Sequence, residues 1–187
     1  MHPDLSLQQI EKQLALVFEG DPWYGPSMRS ILTSLDTRFL FKTPAAGVHS
    51  IAELLAHILA WRRFAEQQLR GQTGELPEQE ETFDWSRFCT DAQKVWPVML
   101  DELRSNQRSL LALLRQYDDT ILDQRVHGKP YSYRYLLTGI IQHDLYHFGQ
   151  IAYIQKILTP EKDRKPVPGL LTYSYRVFPF ENLSLLK

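Results

Sequence analysis

The sequence holds one cysteine, Cys89, so no disulfide can form within the chain, and a lone thiol suits a reducing cytoplasm better than an oxidising compartment. It also lacks an excess of charge of either sign. Its 21 lysines and arginines stand against 22 aspartates and glutamates, a formal net charge of −1. That balance writes no electrostatic footprint for nucleic acid or an anionic membrane, and no nucleic-acid partner is expected. No apolar run approaches the roughly 18 residues that span a bilayer, so no membrane partner is expected either. The first residues, Met1-His2-Pro3-Asp4-Leu5, lack the basic and then apolar regions of a secretion signal. Cytoplasmic residence is the resulting expectation.

What is present is ordinary globular material: 187 residues, 43% hydrophobic and 23% charged, enough for one folded domain over 1–187 with a core that needs no disulfide. Leu7, Ile10, Leu14 and Val17 recur at helical spacing and predict a helix over about 6–19, stopped by Gly20-Asp21-Pro22. A shorter helical stretch runs from Met28 through Leu35, and residues 42–47 form a loop. Ser50-Ile51-Ala52-Glu53 has the form of a capping box, in which serine and glutamate side chains satisfy each other's free amide donors at a helix start. From there Ile51, Leu54, Leu55, Ile58, Ala65 and Leu69 keep a stripe until Gly71 and Gly74. Residues 71–84, polar and holding Pro77, read as a solvated loop.

A third long helix is expected over about 90–117, with Leu100, Leu103, Leu110, Leu111 and Leu114 facing the core and Pro97 bending it or marking its start. His127-Gly128-Lys129-Pro130 is a turn. Ser132 can cap a last helix that runs to about Leu158 before Pro160. Four long amphipathic segments joined by loops imply an all-α bundle over about 5–158. Residues 159–187 hold Pro160, Pro166, Pro168 and Pro179, which exclude a long helix, and read as an extended C-terminal tail, with strand-forming residues over 171–178.

His143 and His147 lie one turn apart on the same face of the last helix, the spacing that lets two imidazoles converge on one metal. On a helical wheel, Leu136, Ile140, Ile151, Ile154 and Leu158 form one stripe, with His147 near its centre and His143 at its edge. His57 flanks the apolar stripe of its own helix, within a turn of Trp61. Polar rings inside a core need partners, and three neutral imidazoles suit zinc, nickel, copper or iron. Three protein ligands leave a position open, the mark of a catalytic site. Asp144 projects about 40° from the same stripe. It is read either as an acceptor that orients an imidazole N–H or as the partner of an arginine on a neighbouring helix. Gln150 and Tyr146 flank the pair, and Gln150 joins Asp144 as a candidate support for the ligands.

At these residues the sequence resembles the DinB-like superfamily of metal-binding four-helix bundles, in particular its damage-inducible DinB proteins. The resemblance rests on residues 48–61, around His57, and on Tyr131-Ser132 leading into Ile141-Gln142-His143-Asp144-Leu145-Tyr146-His147-Phe148-Gly149-Gln150-Ile151. Gly20-Asp21-Pro22-Trp23-Tyr24-Gly25 also looks like the family's N-terminal segment. The resemblance implies an up-down-down-up bundle, often dimeric, with His57, His143 and His147 as ligands of a divalent transition metal, zinc or nickel. It further implies kinship with thiol-dependent transferases and isomerases that use bacillithiol, mycothiol or glutathione. The tail beyond 158 maps onto no family feature.

The leading expectation is therefore a metal-dependent enzyme in which a low-molecular-weight thiol or water attacks a small electrophile. The alternative is a stress-related metal-binding or interaction protein without catalysis, which uses a helix face or the tail aromatics Tyr173, Tyr175, Phe178 and Phe180. The charge balance disfavours DNA binding. Cys89 reads as a buried filler rather than a nucleophile. His49 and His127 read as loop residues near two helix starts, and His2 as part of a loose terminus.

Overall fold

The computed structural model describes residues 5–72 and 92–163. The expected tail features, the loop beyond residue 72, Cys89 and His2 lie outside the described residues. Within them the chain is all-helical: α1 (Leu7–Glu19), α2 (Met28–Ser34), α3 (Ile51–Leu69), α4 (Ala92–Leu114) and α5 (Tyr133–Leu158), with 3-10 turns at Thr37–Phe39, Asp119–Asp123 and Glu161–Asp163. No helix among the described residues is long and apolar enough to cross a membrane.

Side-chain caps set the helix starts. Ser50 accepts from the Glu53 amide at 3.3 Å while the Glu53 carboxylate accepts from the Ser50 amide at 2.5 Å, so α3 begins where the capping box places it. Ser6 and Gln9 make the same reciprocal pair at the head of α1. Ser27 caps α2 and Ser132 caps α5. At the end of α1, a Cβ added to Gly20 would lie 2.8 Å from the Leu16 Cα, so the chain turns there only with glycine. After α3 the chain passes through Gly71 in the left-handed region, φ +71°. Pro97 lies inside α4, six positions into the helix, so the helix begins before the proline rather than at it.

The directions of the four long helices follow from which residues meet. Leu55 and Leu59 line one cleft with Trp96 and Met99, Arg63 pairs with Glu102, and Arg70 reaches Ser109, so α3 and α4 run the same way. On α5 the order reverses: Asp144 meets Arg62, and the Tyr133 hydroxyl donates to the Gln68 carbonyl at 2.7 Å. Helix α1 opposes α4, with Glu11 on Arg115 at 2.6 Å and the Leu14 carbonyl on Gln107 at 3.2 Å. Along the chain the long helices therefore run up, down, down, up.

Helices α1 and α3 each pack on both α4 and α5, and the apolar stripes meet between them. Ile10, Leu14, Ile51, Ile58, Leu69, Leu110, Leu114 and Ile151 are almost wholly buried there. Of the leucines expected to face inward from α4, Leu103, Leu110 and Leu114 are buried, while Leu100 and Leu111 are partly so. Between Leu103 and Leu110 the interior face of α4 carries Asn106 and Gln107, both buried. The turn Asp119–Asp123 buries Ile121 and Leu122, and a single bridge from Arg125 to Ser132 leads into α5.

Candidate metal centre

Helices α3 and α5 run antiparallel, which brings the middle of α3, at His57, opposite the middle of α5, at His143 and His147. One nitrogen from each ring can be chosen so that all three lie within 4.8 Å of one another. The Nε2 atoms of His57 and His143 face each other at 2.9 Å. Ring centroids are 4.9 Å apart for His57 and His143, 4.8 Å for His57 and His147, and 4.4 Å for His143 and His147. His147 is buried and the other two are half-buried, so the cluster sits at the edge of the interior rather than deep within it.

The protonation chemistry suits a cation. Burial holds His143 far below the usual imidazole range, at about 3, and the neighbouring His147 and His57 push the same way. His143 is thus neutral at physiological pH, with a lone pair to give. The Nδ1 atom of His147 lies 2.7 Å from the Gln150 amide oxygen. That oxygen only accepts, so Nδ1 carries the proton and Nε2 keeps its lone pair, the arrangement seen when a carbonyl orients a ligand histidine. Ligand nitrogens around a tetrahedral ion with bonds of about 2.0–2.1 Å stand about 3.3 Å apart, and here one pair stands at 2.9 Å with all three nitrogens within 4.8 Å of one another. The donor set therefore fits a borderline transition metal, and the three histidines can hold one.

Beside this cluster lies a second polar group. Arg62, one and a half turns beyond His57 on α3, has no exposed surface. Its Nε donates to the Asn106 side-chain oxygen at 3.1 Å, and its terminal nitrogens donate to Gln107 and to the Asp144 carboxylate. Gln107 in turn donates to the Leu14 carbonyl, and Asn106 donates to Glu66 at 2.7 Å. The guanidinium also lies over the Phe18 ring at 5.6 Å. One buried cation thus ties α1, α3, α4 and α5 together.

Of the two readings of Asp144, the structure contains the arginine pair: one carboxylate oxygen meets Arg62, and the other, also buried, has no hydrogen-bond partner among the described residues. Burial pushes this carboxyl up to about 6 against the pull of Arg62, which leaves it ionised at neutral pH. Burial, together with the Asp144 charge, also raises the Tyr24 phenol, which places the loop between α1 and α2 near that carboxylate. Gln150 touches His147, and Tyr146 packs edge-on against the same ring at 4.9 Å. His49 stands 3.7 Å from Glu53 and His127 is exposed, so neither joins the cluster. Arg62, Asn106 and Gln107 are absent from the expectations. The one signal for Arg62 is its place on the stripe Ile58, Arg62, Ala65, Leu69, where an apolar residue belongs.

The model of the DinB superfamily matches residues 26–151, well over half of the chain. Two solved structures share the fold. The colibactin self-resistance protein ClbS, crystallised with double-stranded DNA, is 20% identical, with a TM-score of 0.58 over 85% of this chain and 100% of that one. An uncharacterised protein from Escherichia coli UTI89 is 14% identical, with a TM-score of 0.57 over 82% of this chain and 94% of its own. A search of curated proteins finds no match. The DNA-bound structure overturns the expectation that nucleic acid is excluded as a partner. A net charge near zero averages over the whole surface, whereas phosphate contacts depend on where individual cations and amides stand.

Proposed function

Since the chain belongs to the DinB superfamily, we propose that it is a metal-dependent enzyme in which His57, His143 and His147 hold a divalent zinc or nickel ion, and that it joins a low-molecular-weight thiol to a small electrophile. The observation that carries the reading is the convergence of three imidazole nitrogens within 4.8 Å, with His147 already oriented by Gln150. When bound, such an ion lowers the pKa of a thiol or water beside it and so makes a nucleophile available at neutral pH. The chain's own part is to keep His143 neutral by burial, to fix the tautomer of His147, and to hold three rings at the solvent edge where a small molecule can reach them. In the net reaction a thiolate sulfur bonds to the electrophilic carbon, the leaving group departs with its electron pair, and the thiol proton passes to solvent.

Elemental analysis of the native protein beside His57→Ala, His143→Ala and His147→Ala tests the site: about one equivalent of metal is expected in the native protein and little in the variants. Thiol consumption against a panel of alkylating and epoxide electrophiles then tests the reaction. A metal-loaded protein that neither binds thiols nor consumes electrophiles leaves a metal-binding protein without catalysis.

A second reading, favoured by the DNA-bound relative, is a bundle that engages duplex DNA. Fluorescence anisotropy with a labelled duplex at two salt concentrations decides it. Micromolar binding that weakens steeply with salt supports the reading, and weak, salt-insensitive association removes it.

A further inference from the structure

The histidine centre lies between two aromatic side chains at its opposite ends. Trp61, one turn beyond His57 on α3, has its ring 6.0 Å from that of His143 and 6.5 Å from that of His57. It is braced edge-on against buried Phe64 at 5.9 Å, so its position is set by the core. Tyr146 packs on His147, at the other end of the cluster, and is 65% exposed. A tyrosine this open, with its ring against a candidate ligand rather than against the core, gains little from the fold.

Several of the neighbours on the two helices are uncharged: Ala56 and Ala60 on α3 and Gln150 on α5 are half-buried, and Gln142 and Gly149 on α5 are exposed. The charged groups close by are committed elsewhere. Glu53 accepts from the Ser50 amide and faces His49, while Arg62 and Asp144 are buried against each other. At these flanking positions of α3 and α5 the groups on offer are two aromatic surfaces and side-chain amides.

We infer that the centre takes an uncharged ligand with a flat aromatic body, which packs on Trp61 and Tyr146 while its donor atom meets the histidine centre. The inference rests on the metal-site reading above and names the class of molecule that the site prefers.

The test uses the full chain loaded with Co2+, whose visible spectrum reports the donor set and whose near-ultraviolet thiolate band reports a bound thiol. Thiophenol, ethanethiol and 3-mercaptopropionate are titrated into the native protein, Tyr146→Ala and Trp61→Leu. The intrinsic acidity of each thiol cancels when the thiophenol-to-ethanethiol affinity ratio is compared across proteins. That ratio is expected to fall by about three- to tenfold in each variant, the size of an aromatic contact, with the Co2+ spectrum unchanged before thiol is added. In the native protein, 3-mercaptopropionate is expected to bind no better than ethanethiol. An unchanged ratio in the variants, or preferential binding of the charged thiol, overturns the inference while leaving the metal site intact. Native protein that takes up no Co2+ overturns both. Trp61 contributes to the core, so if Trp61→Leu fails to fold, the solvent-exposed Tyr146→Ala decides the matter alone.

Discussion

Two polar groups interrupt the apolar interior between α3 and α5, and they are built on opposite principles. Around Arg62 each guanidinium nitrogen has an acceptor, the cation meets an anion, and the network reaches all four long helices. Around His57 the side chains face one another: two Nε2 atoms point together at 2.9 Å, and the buried Nδ1 of His143 has no hydrogen-bond partner among the described residues. A network that is nearly satisfied from within holds a fold, and a cluster of imidazoles that face one another can hold a metal ion. The two are neighbours in sequence, with His57 and Arg62 on one helix and His143 and Asp144 adjacent on the other. The difference between them therefore comes from residue type and geometry, not from location.

The comparison breaks first at Arg62. Arg62→Ala strands Asp144 without its cation in the interior and is expected to cost about 3–5 kcal/mol in a urea titration. Replacing the pair together, Arg62→Met with Asp144→Leu, should recover most of that loss. His57→Ala, measured the same way in metal-free protein, should change stability by no more than about 1 kcal/mol, because a half-buried ring is removed from the solvent edge. Equal costs at Arg62 and His57 would erase the distinction.

The next effect is on metal affinity. Gln150→Ala removes the acceptor that orients His147 and should weaken binding by about 10–100-fold while leaving the melting temperature of the metal-free protein in place. Competition against a chelator of known affinity measures it, and an unchanged affinity would show that Gln150 does not orient the ring.

A smaller contrast appears in acid. His143 titrates at about 3 in the fold against 6.5 in an unfolded chain, so between those values the unfolded state binds more protons, and metal-free protein loses stability as pH falls below about 6.5. Asp144, raised to about 6 from 3.8, works in the opposite direction over the narrower window between those values, where the folded state binds more protons. His143→Gln should therefore flatten or reverse the acid slope between pH 4 and 6.5, which thermal melts in a pH series can read. The smallest expected effect lies away from both clusters: Ser50→Ala should cost about 1 kcal/mol through the lost cap on α3, and neither metal affinity nor the acid slope should move.

What could be read before the fold was known follows the same division. The three histidines announced themselves because helical periodicity alone decides that 143 and 147 share a face, and because rings on an apolar stripe are conspicuous. The starts of α3 and α5 were legible because a serine cap is a local device. Arg62 was not, since a charged residue between apolar neighbours reads as surface until the elements that supply Asn106, Gln107 and Asp144 are in place, and those partners lie 44, 45 and 82 residues away. Asp144 carried half of that signal, as a carboxylate in need of an arginine. The turn at Asp119–Asp123 escaped because a single 3-10 turn has no period to detect. A nucleic-acid partner was considered and set aside on the charge balance, and that ground failed because a sum of charges says nothing about their arrangement.

The pairing of His57 with His143 joins positions 86 residues apart in the chain. An ion held by both would close a loop of that length, and removing the freedom of so long a loop from the unfolded chain is worth several kcal/mol in principle, as it is for a covalent crosslink. Occupied and empty protein should therefore differ in how they come apart. The loaded form must shed a ligand before α3 and α5 can separate, so its unfolding should slow as free metal rises and quicken when a chelator is added. Resistance to heat would then serve as a gauge of how full the centre is in the cell.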